Sequence, residues 1–236
     1  MVVTRRAVLA GGAAGVAGMA GAMPVGRARR LVVAELFTSQ GCSSCPPADA
    51  VLRDLVASRP DVLALGFHVT YWDRLGWRDP FALEAATLRQ RGYAALSGIG
   101  GVYTPQMVVD GRYDVVGSDR PGVLAALARA AGAGDSGITL DLSRRDGGLA
   151  VIVGAAAGVA RGQVLLVGYD NQHGTQVARG ENAGRRLVNA NVVRAMVPLG
   201  AWQGSEVRLE AGLPAGERHA VIVQGDDRRV LAAAVL

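Results

Sequence analysis

From residue 30 onward the hydrophobic positions follow two rhythms. "RLVVAELFTS" is a continuous apolar run of strand length, the pattern of a strand buried on both faces of a mixed or parallel sheet. "PPADAVLRDLVASRPD" opens with prolines, which a helix tolerates in its first turn. It carries Ala50, Val51, Leu55 and Val56 at helical spacing until Pro60 stops it. "VLALGFHVTYW" predicts a second buried strand, and "DPFALEAATLRQRGYAALSG" a second helix started at Asp79-Pro80. "TPQMVVDGRYDVVG" predicts a hairpin turning at Asp110-Gly111, and "SDRPGVLAALARAAG" a helix capped by Ser118 or Asp119. The order over residues 30–133 is βαβαββα.

After "GAGDSG" (residues 132–137) the rhythm changes. Apolar or alternating runs of five to eight residues are separated by Gly, Asn and Asp turns, among them Asp146-Gly147-Gly148 and Gly225-Asp226-Asp227. Six or seven such strands in residues 134–236 predict a β-rich, sandwich-like C-terminal region. The expected fold class is therefore α/β followed by β. No internal repeat or low-complexity tract interrupts it.

Half of the 236 residues are hydrophobic and 19% are charged, which is enough apolar material for a packed core and argues against disorder. Residues 1–29 stand apart: paired Arg5 and Arg6, a Gly/Ala-rich apolar stretch, then Ala20-Gly21-Ala22 as a small-x-small cleavage point. This predicts an export signal of the twin-arginine type, and hence a periplasmic or secreted protein that touches membrane only through an uncleaved signal. The formal charge of +5 falls to +3 without Arg5 and Arg6, and to zero if Arg27, Arg29 and Arg30 are removed as well. The remaining arginines are scattered without aromatic interleaving, so no nucleic-acid footprint is expected.

The only two cysteines lie in "ELFTSQGCSSCPPAD", between the first strand and the first helix. A staple closing four residues would stabilise little, because the entropic gain grows with loop length. A strand that delivers Cys42 to a helix N-terminus favours its thiolate, and Cys45, one turn on, can resolve a mixed disulfide. In an oxidising compartment the pair will tend to be a disulfide. Thr104-Pro105, just before the strand "QMVVD", is where a thioredoxin-type site keeps a cis proline beside the cysteines.

Together "ELFTSQGCSSCPPAD", "FHVTYWDRLGWRDPF", "YTPQMVVDG" and "GENAGRRLVNANVVR" resemble a family of secreted, thioredoxin-like bacterial proteins of unknown function, over nearly the whole chain after the signal. The resemblance implies a thioredoxin-like domain at residues 30–133, a β-rich part behind it, and a site at Cys42, Cys45 and Pro105. It names no substrate. A histidine is usual in that family near the position held here by Asn189.

The expected activity is thiol-disulfide exchange with protein or small thiol/disulfide partners, without a cofactor. One rival is soft-metal (copper) binding by Cys42, Cys45 and His68, the histidine at the end of the second strand. A second is a non-catalytic binding module. The structural reading of His68 outweighs a chemical one, and Asp73 and Asp79 read as turn and cap residues. Tyr71, Trp72 and Trp77 either wall a groove or cap the sheet. "GENAGRRLVNANVVR" reads as a solvated hairpin unless it packs over Cys42. GxSxG, HExxH and Walker motifs are absent and no GxGxxG follows a strand, which removes the common hydrolase and nucleotide chemistries.

Overall fold

A computed structural model describes residues 30–98, 100–156 and 161–236; the export signal expected at residues 1–29 lies outside them. The first half runs β1 (Val32–Thr38), α1 (Pro46–Ser58), β2 (Val62–His68), a short 3-10 turn (Asp73–Leu75), α2 (Glu84–Ser97), β3 (Gln106–Val109), β4 (Tyr113–Val116) and α3 (Arg120–Gly132). The second half contributes β5 (Leu140–Arg145), β6 (Gly148–Val153), β7 (Gly162–Gln176), β8 (Arg186–Trp202), β9 (Val207–Gly212), β10 (Arg218–Gly225) and β11 (Val230–Val235).

The apolar runs of β1 and β2 are buried along their whole lengths and pair in parallel at the middle of a sheet ordered β11-β10-β7-β8-β2-β1-β3-β4. α1 and α3 cover one face of it, burying Val51, Leu52, Leu55, Val123 and Leu127 against Leu36, Ala64 and Met107. α2 covers the other face, where Tyr93 meets Phe37 and Phe67. Asp110 and Gly111 both take positive φ in the three-residue turn between β3 and β4, as the Asp-Gly signal requires. The Asp119 side chain caps α3 by accepting from the Gly122 N–H.

Seven strands, β5 to β11, form the C-terminal half where six or seven are expected, but they divide their partners. Only β5, β6 and β9 form a separate sheet; β7, β8, β10 and β11 extend the sheet begun by the first half. The period-2 geometry of a strand lets each serve two cores. Along β7, Leu165, Val167 and Tyr169 join the α2-side core, while Val164 and Leu166 meet β6 residues Leu149, Val151 and Val153 and the buried Trp202. Hydrophobic spacing reports that both faces are buried, not which sheet buries them, so the sandwich-like expectation and the shared sheet carry the same local pattern.

The joint between the halves is narrow. β8 meets β2 through one parallel pair, Gly66 with Val192. A side chain at Gly66 would sit 3.2 Å from the Ala190 carbonyl oxygen. Beside it Asn191 takes positive φ (42°), tolerable for Asn, and donates its amide to the Ala64 carbonyl at 2.8 Å. A buried ionic cluster reinforces the joint. Arg89 of α2 grips Glu35 of β1 in a two-pronged pair and donates to Gln224 of β10 at 3.0 Å; the Tyr93 hydroxyl adds 2.8 Å to Glu35. Burial alone would ease proton loss from Arg89, but the Glu35 carboxylate outweighs it and raises the guanidinium further.

Candidate functional site

β1 ends at Thr38, and the chain loops through Ser39–Ser44 into α1, whose N-cap is Cys45. The Cys45 carbonyl accepts the N–H groups of Ala48 and Asp49, and Pro46 and Pro47 occupy the first turn, where no N–H is required. Cys42 lies three residues earlier and is joined to Cys45 by a disulfide with Cα atoms 5.5 Å apart. The Thr104 hydroxyl donates to Cys42 Sγ at 3.3 Å and in turn accepts from Trp72 Nε1 at 2.8 Å; Ser44 Oγ lies 3.3 Å from the same sulfur. The Thr104–Pro105 peptide is cis. Cys42, Cys45 and Pro105 thus converge on one place.

Both cysteines are 0% exposed. Their cover comes from the far end of the chain, where the "GENAGRR" loop between β7 and β8 folds back over the cysteine loop. Asn182, itself fully buried, donates its side-chain amide to the carbonyls of Gln40 (3.0 Å) and Cys42 (2.9 Å), while Arg185 secures its oxygen. The neighbouring Glu181 accepts the Ser43 N–H at 2.9 Å, and hydrogen bonds from Ser43 hold its carboxyl below the usual range. Gln40 is the hub of this cover. Its N–H goes to Asp79, its side-chain amide to Thr175 and Asn189, and its side-chain oxygen accepts from Trp77. The "GENAGRRLVNANVVR" segment is therefore part of the site, and the indole N–H groups of Trp72 and Trp77 brace it.

Below the disulfide lies a buried acid–imidazole group. Asp49, four residues beyond Cys45 and on the same helix face, accepts from the Thr38 hydroxyl at 3.0 Å. Burial pushes its carboxyl from an ordinary 3.8 up to about 6, against the opposing pull of His68 and Thr38. His68, paired in register with Thr38, holds Asp79 through Nδ1 at 2.7 Å. Burial disfavours a charged His68, yet the Asp79 carboxylate outweighs it and raises the imidazole; Asp79 is lowered in return.

Asp79 corrects the sequence expectation. Asp-Pro resembles a helix start, but α2 begins at Glu84 with Leu83 as its N-cap. Asp79 instead anchors the cysteine loop through the Gln40 N–H and receives the Phe81 N–H at 2.9 Å. His68 is engaged with that carboxylate, and among the described residues no group of three His, Cys, Asp or Glu side chains is placed to hold a metal ion. Asp49 also borders a cavity of about 370 Å³ between α1 and the start of β8, lined by Arg53, Arg185 and Arg186.

The raised carboxyl of Asp49 has a definite sign. The folded chain holds this proton more tightly than the unfolded one. Its contribution to stability is therefore full below about pH 3.8 and is lost as pH rises through about 6. Asp49→Asn, which cannot ionise, is expected to match the parent at pH 3.5 and to exceed it by about 3 kcal/mol at pH 8 in urea unfolding. An equal difference at both pH values refutes the assignment.

The family described as "Protein of unknown function (DUF1223)" matches residues 33–224. The chain belongs to this DUF1223 family. The crystal structure of a protein from Agrobacterium tumefaciens is similar at 32% identity and a TM-score of 0.74, covering 87% of this chain and 93% of that one. HBP35 of Porphyromonas gingivalis shares the fold at a TM-score of 0.58 and 14% identity, over 88% of this chain and 75% of its own. No curated protein matches the sequence. The family match spans both halves, from β1 to β10, so the DUF1223 unit includes the cover as well as the cysteine loop.

Proposed function

We propose that this DUF1223 protein is a thioredoxin-like thiol-disulfide exchange protein acting outside the cytoplasm. The observation that carries the reading is the Cys42–Cys45 disulfide at the N-terminus of α1, with the Thr104 hydroxyl on the Cys42 sulfur. The element order β1-α1-β2-α2-β3-β4-α3, with sheet neighbours β2-β1-β3-β4, supports a thioredoxin-like core. Backbone N–H groups and the helix dipole favour negative charge at this N-terminus, which stabilises a thiolate there.

The exchange balances as follows. A thiolate of a partner dithiol attacks Cys42 Sγ, the Cys42–Cys45 bond breaks, and Cys45 leaves with the electron pair. The Asp49 carboxyl, protonated near pH 6 and one turn away, is the nearby acid that can supply its proton. The second partner thiolate then attacks the mixed disulfide and expels Cys42. Two electrons have passed from partner to protein, and the reverse sequence reduces a partner disulfide. Which direction dominates is a matter of reduction potential, which spans about 150 mV across related CxxC folds.

The test is equilibration of the full chain in glutathione redox buffers, alongside trapping with Cys45→Ser. A two-electron equilibrium is expected, together with a one-to-one mixed disulfide on Cys42 in Cys45→Ser and none in a Cys42→Ser, Cys45→Ser double variant. A pair that exchanges with neither glutathione nor reduced insulin, even with the cover weakened by Asn182→Ala, overturns the proposal.

A further inference from the structure

Three arginines converge on the cavity of about 370 Å³ between α1 and the start of β8. Arg53 comes from α1, Arg185 from the loop that covers the cysteines, and Arg186 from the first position of β8. Pro46 and Pro47 form part of the wall and have no N–H to offer, so the donors of this cavity come from side chains and not from the helix end.

One acid faces these cations. Asp49 is buried against the Thr38 hydroxyl, and burial holds its carboxyl up to about 6 despite the pull of His68 and Arg53. The nearby acids Asp54 and Glu181 do not line the cavity; they are turned to Arg120 and to the Ser43 N–H. Three guanidinium charges against at most one carboxylate leave an excess of at least two positive charges in the lining. Arg53 gives one N–H to the Val188 carbonyl at 2.7 Å, and Arg185 gives one to Asn182 Oδ1 at 2.8 Å. A guanidinium carries several more, in a fork that suits the oxygens of a phosphate or a carboxylate. Arg186 makes no ion pair or hydrogen bond among the described residues, and it lies over Gly174 of β7, where a Cβ would stand 3.3 Å from its Nη2.

The three cations belong to two parts that separate when the cover lifts. Arg53 is fixed to the helix that carries Cys45, and Arg185 to the loop whose Asn182 closes over Cys42. An anion between them relieves the repulsion of like charges only while the loop is down. A ligand that favours the closed form shifts the population toward it.

We propose that this cavity binds a small divalent oxyanion, a phosphate or a dicarboxylate, which bridges Arg53, Arg185 and Arg186 and latches the β7–β8 loop over the disulfide. Binding does not depend on the exchange reading; the latch acts on access to the sulfurs, whichever way electrons pass.

The test is calorimetric titration of the oxidised full chain with inorganic phosphate and with succinate at constant ionic strength, with acetate as the monovalent probe. The rate of disulfide reduction by uncharged dithiothreitol is then measured in the same solutions. One divalent anion per chain is expected, with acetate at least about 10-fold weaker, and the tighter of phosphate and succinate identifies the source of the charge. At about 10 times its dissociation constant the anion is expected to slow reduction about 10-fold. Arg186→Gln is expected to weaken binding at least about 10-fold and to remove the slowing, whereas Arg218→Gln, at an exposed arginine on β10, changes neither. Arg186 is exposed, so its replacement leaves the fold intact, and thermal melting checks this. No saturable binding of either divalent anion, acetate binding as tightly as both, an Arg186→Gln chain that binds as the parent does, or a saturating anion that leaves the reduction rate unchanged overturns the proposal. Such a failure leaves the exchange reading standing, because that reading is tested by trapping on Cys42 in Cys45→Ser.

Discussion

Replacing Asn182 by alanine is expected to accelerate reduction of the Cys42–Cys45 disulfide by about 10- to 100-fold. With both sulfurs wholly covered, an external thiol reacts only when the β7–β8 loop lifts. Asn182 closes that loop through two buried hydrogen bonds to the carbonyls of Gln40 and Cys42. Each such bond is worth about 1 kcal/mol net, and leaving a buried carbonyl unpaired in the closed state costs about 1–3 kcal/mol. The open population therefore rises by one to two orders of magnitude. Pseudo-first-order reduction by dithiothreitol, followed by thiol release, measures it directly. Glu181→Ala, which removes only an exposed bond to the Ser43 N–H, is expected to change the rate by less than about threefold. An Asn182→Ala rate close to the parent's shows that reductant reaches the sulfur without loop opening.

The second large effect is on stability. Glu35→Ala leaves the Arg89 guanidinium buried without its carboxylate, and breaking a buried pair from one side costs about 3–5 kcal/mol. For a chain of this size that lowers the melting temperature by about 6–20 °C. The same cluster reaches β10 through Gln224, so both halves should melt together at the lower temperature. Removing both charges with Glu35→Leu and Arg89→Met is expected to be milder than the single change, because no orphan charge remains. A Glu35→Ala chain melting within about 2 °C of the parent means that water reaches the guanidinium.

What the sequence discloses and what it withholds follow from the range of the forces involved. β1, α1 and the Asp110-Gly111 turn are legible because burial on two faces, proline at a helix start and positive φ leave marks within a few neighbouring residues. The cysteine pair and Thr104-Pro105 are visible as motifs. Asn182 is not, because a polar residue in a glycine-flanked loop looks the same whether it faces water or a carbonyl 140 positions away. Gln40 is hidden for the same reason; its partners lie as far on as Thr175 and Asn189. Asp79 is misread because the local chemistry of Asp-Pro is common to helix caps and to buried anchors. The division of the C-terminal strands between two sheets is withheld because alternation encodes a strand's faces and not its neighbours.

The distance along the chain between the cysteines and their cover sets an order of events in biosynthesis. Cys42 and Cys45 are synthesised about 140 residues before Asn182, so the strand, loop and helix that hold them can assemble while nothing yet shields the sulfurs. Oxidants and partner thiols therefore have free access to the pair in the incomplete chain, and access narrows only when β7 and β8 join β2 through Gly66 and Val192. Completion of the fold acts as a brake on the chemistry of the pair: sulfurs that react freely in the incomplete chain afterwards wait on the lifting of one loop.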